Sequence, residues 1–114
     1  MTTQTITKTI DILLVEDNPG DVRLFRETLA ETGASQYRLT SVSNLAAALK
    51  RLDEERYDII VLDLTLPDSR GIGTLKSVRM HSPRVPVILL TTVDDEAIAL
   101  TAIQNGAQDY LIKG

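Results

Sequence analysis

Cysteine is missing altogether from this chain of 114 residues, and histidine occurs once, at His81. Disulfides and thiolate metal sites are thereby excluded, and a reducing compartment fits. Positive charge is also scarce: 12 Lys and Arg face 16 Asp and Glu. A net charge of -4 argues against nucleic-acid binding by this domain alone. No apolar run approaches membrane-spanning length, so no membrane partner is expected. Residues 1–9 are rich in threonine and lack an apolar segment, so they read as a lead-in and not a signal peptide. Cytoplasmic location is the default expectation. Repeats, low-complexity tracts and internal linkers are absent too, which leaves one domain, residues 10–114. With 43% hydrophobic residues, that domain can build a core without staples.

What is present is an unbroken alternation of strand and helix patterns. The organising stretch is Tyr57–Asp68, whose apolar run Ile59–Leu62 suits a strand covered on both faces. It stops at the carboxylate of Asp63, and Pro67 takes the chain out of the sheet. Before it, Ile10–Val15 reads as a first strand ending in Glu16-Asp17. Asn18 and Pro19 then open a helix with the stripe Val22, Phe25, Leu29, and Gly33 is its expected stop. Tyr37–Val42 makes a second strand, and Asn44 caps a helix carrying Leu45, Ala48, Leu49 and Leu52. After the third strand come a turn cluster, Asp68–Gly71, and a helix over Ile72–Met80 that ends at Ser82-Pro83. Val85–Leu90 is the fourth strand, ending in Thr91-Thr92. Asp94 or Asp95 is expected to cap a fourth helix with Ile98, Ala102 and Ile103 inward and Asn105-Gly106 at its end. Gln108–Ile112 is a short fifth strand running into Lys113. This order implies an α/β fold: a doubly wound parallel sheet with helices on both faces. A chain stopping after its fifth strand lacks the expected last helix, so a fragment of a longer protein is anticipated.

Parallel strands share one carboxyl rim. There the pattern gathers Glu16 and Asp17, Asp63, Thr91 and Thr92, and Lys113. Three carboxylates packed together need a cation, and oxygen ligands without His or Cys suit Mg²⁺. Lysine and threonine donors are fit to hold phosphoryl oxygens. Phosphoryl transfer to Asp63 follows as a hypothesis from topology and residue types.

The motifs "LLVEDN", "IIVLDLTLPD", Gly71, "VILLTT" and "GAQDYLIK", in that order, make the chain resemble the receiver domains of two-component response regulators from Ile10 to Lys113. The resemblance implies a flavodoxin-like sheet of order 2-1-3-4-5. It implies Asp63 as phosphoacceptor from a sensor histidine kinase or phosphotransfer protein. Mg²⁺ would be held by Asp17 directly, by Glu16 mostly through water, by Asp63 and by the backbone carbonyl of Thr65. Lys113 would contact the phosphoryl group, with Thr91 as switch hydroxyl and Tyr110 as the aromatic that swings inward. A fused or separate output domain would read the switch. Thr92 replaces a smaller residue common in the family, which narrows the pocket entrance. Gly114 replaces a common proline, which puts the usual cis bond in doubt. Thr65 and Val93 offer no group to orient a water, so slow self-dephosphorylation is expected.

Plainer readings stand beside these. Glu16-Asp17 fits a solvated helix start, Thr91 a strand residue, Tyr110 a half-buried strand aromatic and Lys113 a terminal charge. His81 reads as a surface or capping residue, and Asp68, Asp94 and Asp95 as turn and cap residues. Three other functions are open to the fold. A phosphatase with an aspartyl-phosphate intermediate wants a second acid where Thr65 stands. A flavin site wants a phosphate loop where Glu16–Pro19 would repel one. A scaffold without the chemistry has no need of the carboxylates, Thr91 and Lys113.

Overall fold

A computed structural model describes residues 9–32 and 36–113. The expected helix stop at Gly33, most of the lead-in and Gly114 with its peptide bond lie outside the described residues. Seven strands and four α-helices occur among them: β1 Ile10–Val15, α1 Pro19–Glu31, β2 Tyr37–Val42, α2 Leu45–Glu54, β3 Ile59–Asp63, β4 Thr65–Leu66, β5 Ser69–Arg70, α3 Ile72–His81, β6 Val87–Thr91, α4 Glu96–Gln104 and β7 Asp109–Ile112. β4 and β5 pair only with each other; the other five form one sheet in the order β2-β1-β3-β6-β7, every pair parallel. This is the expected 2-1-3-4-5 order once the small hairpin is set aside.

Strand periodicity sorts the apolar residues between two cores. Leu13, Val15, Ile60, Leu62, Val87 and Leu89 face a core completed by Ala48 and Leu52 of α2, Leu75 and Val78 of α3, and Ala99 and Ala102 of α4. The intervening Ile12, Leu14, Val61 and Leu90 face the other side, where Val22, Phe25 and Leu29 of α1 cover them. Burying a leucine or isoleucine in this way stabilises the fold by about 1.5–3 kcal/mol each. With both faces buried, β1, β3 and β6 lose the polar alternation of a half-exposed strand.

Several boundaries differ from the sequence expectation. The fourth sheet strand begins at Val87, not Val85. Pro86 has no N–H to donate, although its carbonyl accepts from Ile60 N at 3.0 Å. Before α4, Val93–Asp95 forms a 3₁₀ turn, and Asp95 stands at the cap position without a side-chain capping bond. On α4, Ala102 and Ile103 face the core as expected and Ala99 joins them, while Ile98 is 45% exposed. Small residues let this helix approach the sheet closely. The cluster after Asp63 is the β4–β5 hairpin, closed by Gly71, whose φ of 78° is open to glycine at little cost.

Candidate functional site

The carboxyl ends of β1, β3 and β6 and the residue after β7 meet at one rim. Asn18 caps α1, its Oδ1 accepting from Gly20 N at 2.8 Å and Asp21 N at 3.3 Å. Pro19 in the first turn fits because the first helical N–H groups lack helix partners. The cap turns the chain immediately after β1 and so sets Glu16, Asp17 and Asp21 around the rim. Glu16 is buried, with Asn18 N donating to its Oε2 at 3.1 Å. Asp63 is buried as the last residue of β3 and accepts at Oδ1 from Thr65 N at 2.8 Å. Lys113 N donates to Thr91 O at 2.6 Å, which extends the β6–β7 pairing by one residue and aims the lysine back over the rim.

Lys113 Nζ lies 2.6 Å from Glu16 Oε1, 2.9 Å from Asp63 Oδ2 and 3.2 Å from Asp21 Oδ2. The contact to Glu16 Oε1 is ionic and poorly aligned, leaving that buried oxygen without a directed hydrogen bond. Carboxylate oxygens of Glu16, Asp17 and Asp63 all lie within 4.8 Å of one another. Burial pushes the Glu16 carboxyl up to about 7, against the adjacent Lys113 ammonium and the Asn18 N–H bond, which favour its anion. Burial works to lower the Lys113 pKa, but the close carboxylates of Glu16 and Asp63 outweigh it and hold the ammonium above the ordinary lysine value.

These residues fit Mg²⁺. The three carboxylates are hard oxygen donors within one ion's reach, and Glu16 Oε1 is a buried acceptor without a directed donor. Thr65, whose carbonyl was the expected fourth ligand, lines the same crevice of about 270 Å³ with Glu16, Asp17, Asp63 and Lys113. An adjoining hollow of about 300 Å³ is lined by Asp63, Thr65, Arg70, Gly71, Thr91 and Asp95. Thr91 is thus at the site, its hydroxyl donating to Thr92 O at 3.3 Å. Tyr110 lines neither hollow. Its ring packs against the larger core and its hydroxyl donates to Glu96 Oε2 at 2.7 Å. Thr92 lines the first crevice and donates to Asp95 Oδ2 at 3.2 Å. His81 is a surface residue, with Nδ1 on Ser77 O at 3.1 Å.

Sequence reasoning missed two participants. Asp21 is the third partner of Lys113, and its signal is an acid in the first turn of a helix that starts beside the acidic pair. Asp68 is more than a turn residue: Oδ1 and Oδ2 accept from Leu45 N at 2.8 Å and Ala46 N at 3.0 Å, tying the hairpin to the start of α2. Nothing local in the sequence marks that contact.

The response regulator receiver domain family matches residues 12–114. The transcriptional regulatory protein ZraR of Klebsiella oxytoca is 32% identical over 104 residues, covering 91% of this chain and 23% of ZraR. The alkaline phosphatase synthesis transcriptional regulatory protein PhoP of Bacillus subtilis is 34% identical over 102 residues, covering 90% of this chain and 41% of PhoP. The chain therefore spans well under half the length of either regulator. A solved structure of the receiver domain of the sensor histidine kinase PA1611 from Pseudomonas aeruginosa superposes with a TM-score of 0.75 at 34% identity, covering 91% of this chain and 84% of that one. That structure holds a magnesium ion coordinated in its active-site cleft. Sheet order, rim residues and these likenesses agree: the chain belongs to the receiver domain family of two-component response regulators.

Proposed function

We propose that Asp63 accepts a phosphoryl group from the phosphohistidine of a sensor kinase or phosphotransfer protein, with Mg²⁺ held by Glu16, Asp17, Asp63 and the Thr65 carbonyl. The carrying observation is the Lys113 ammonium 2.9 Å from the Asp63 carboxylate, with the acidic pair alongside. In the transfer a carboxylate oxygen of Asp63 forms a bond to phosphorus. The donor's P–N bond breaks, and its electron pair stays on the imidazole. Bound Mg²⁺ supplies positive charge to the transferring phosphoryl oxygens. Lys113 is within reach to exchange a carboxylate contact for one of those oxygens. The domain catalyses only its own phosphorylation and the slow loss of that group, since Thr65 and Val93 present no acid, base or amide to water.

The Thr91 hydroxyl then turns to the phosphoryl group. Tyr110 leaves Glu96 and moves inward, and the surface of α4 and β7 changes between two conformations. An output domain, fused or separate, reads that surface in the cytoplasm. Incubation with acetyl phosphate and Mg²⁺, followed by intact mass, tests the reading. One phosphate-sized gain that persists for minutes and is lost in Asp63→Asn is expected. No gain in the wild type, or an equal gain in the variant, overturns it.

A further inference from the structure

The hollows around Asp63 are lined by five carboxylates, those of Glu16, Asp17, Asp21, Asp63 and Asp95. An incoming phosphodonor is itself an anion, so this rim repels it until cations compensate. Among the described residues, only two cationic side chains line these hollows. Lys113 is engaged with three carboxylates. The other is Arg70, which among the described residues takes part in no ion pair.

The hairpin sets the placement of Arg70. It stands directly opposite Thr65 in the antiparallel ladder, two residues beyond Asp63 in register. Opposed residues in such a pair share a face, with Cβ atoms about 4.5–5.5 Å apart. Both therefore border the hollow that also contains Asp63 and Thr91. Three tertiary contacts steady this short ribbon. Gly71 N donates to Leu64 O at 2.8 Å, Ser69 Oγ and Thr74 Oγ1 are 2.5 Å apart, and Asp68 grips two N–H groups of α2. A free, exposed guanidinium on a steadied backbone, in the hollow that Asp63 also lines, suits an anionic phosphoryl group, which it can bind through two parallel N–H donors.

We propose that Arg70 is a donor-binding residue that draws the phosphodonor onto Asp63 and favours donors of greater negative charge. This rests on Asp63 being the acceptor. The test compares rates of phosphorylation by acetyl phosphate and by phosphoramidate, which carries less negative charge at neutral pH, in wild type, Arg70→Ala and Arg70→Lys with saturating Mg²⁺. For Arg70→Ala the apparent second-order rate constant with acetyl phosphate is expected to fall about two- to fivefold, the range of an exposed ion pair. The fall with phosphoramidate is smaller, Arg70→Lys recovers part of the loss, and the unfolding temperature is unchanged. Equal rates in wild type and Arg70→Ala, or equal losses with both donors, overturn the role of Arg70 and leave Asp63 untouched. Failure of the wild type to take up phosphate from either donor removes the Asp63 reading and this one with it.

Discussion

Lys113 Nζ stands 2.9 Å from Asp63 Oδ2, although fifty residues separate them in the chain. The ammonium is the cation among Glu16, Asp21 and Asp63, and it competes with any divalent ion for the same oxygens. Lys113→Met is therefore expected to bind Mg²⁺ about tenfold more tightly, since one repulsive charge a few ångströms away is removed. It is also expected to unfold at lower temperature without Mg²⁺ and to take up phosphate slowly. Mg²⁺ titration followed by amide chemical shifts measures the first effect. Weaker Mg²⁺ binding in the variant contradicts this arrangement.

Glu16 gives the metal-free protein a pH dependence. Its folded value of about 7 lies above the ordinary 4.5, chiefly through burial, so the folded state binds more protons between those values. Stability then falls as pH rises from about 4.5 to about 7, by at most about 1.4 kcal/mol per unit of difference. Glu16→Gln removes that slope and is expected to unfold at higher temperature than wild type at pH 8 without Mg²⁺. Saturating Mg²⁺ favours the ionised carboxylate and reverses the ranking. Thermal unfolding across this pH range, with and without Mg²⁺, shows whether the slope belongs to Glu16.

Much of this was legible from one sequence because the central strands β1, β3 and β6 are buried on both faces. Their apolar runs end abruptly, and what ends them (Glu16, Asp63, Thr91) lies at the rim, where the more exposed β7 adds Lys113. Other features depend on packing between distant segments. The β4–β5 ribbon has two residues per strand, too short for a periodic signal. On α4 the expected stripe of Ile98, Ala102 and Ile103 holds for the last two, but Ala99 takes the inward place expected of Ile98, which is 45% exposed. Asp21 and Asp68 reach partners that no local pattern names. Sheet order itself came from family resemblance, because alternation fixes parallel strands without fixing their sequence across the sheet.

Asp68 couples the hairpin to α2. Its carboxyl lies below the ordinary value because the N–H groups of Leu45 and Ala46 hydrogen-bond the anion. A lowered carboxylate stabilises the fold above its ordinary pKa and loses that contribution as pH falls through the folded value. Asp68→Ala is expected to lower the unfolding temperature at pH 7 by about 5 °C, the usual effect of a lost helix cap. The gap between variant and wild type closes in acid. A gap that persists undiminished at low pH rules out this role.

Tyr110, outside both hollows, is hydrogen-bonded to Glu96. Its phenol lies above the ordinary value of 10, mainly because it donates to the Glu96 carboxylate and that bond needs the neutral form. The stabilisation it brings is full below pH 10 and is lost as pH rises through the folded value. An ultraviolet titration of wild type minus Tyr110→Phe isolates this phenol. The midpoint should stand above 10 and fall back in Glu96→Ala; a midpoint insensitive to Glu96 contradicts the contact.

The most direct measurement is chemical trapping of the acyl phosphate. After phosphorylation with acetyl phosphate and Mg²⁺, borohydride reduction and peptide mapping should find residue 63 converted to homoserine, and no other carboxylate altered. Conversion at Asp17, Asp21 or Asp95 instead, or at no residue of a protein that has gained phosphate, contradicts Asp63 as the acceptor.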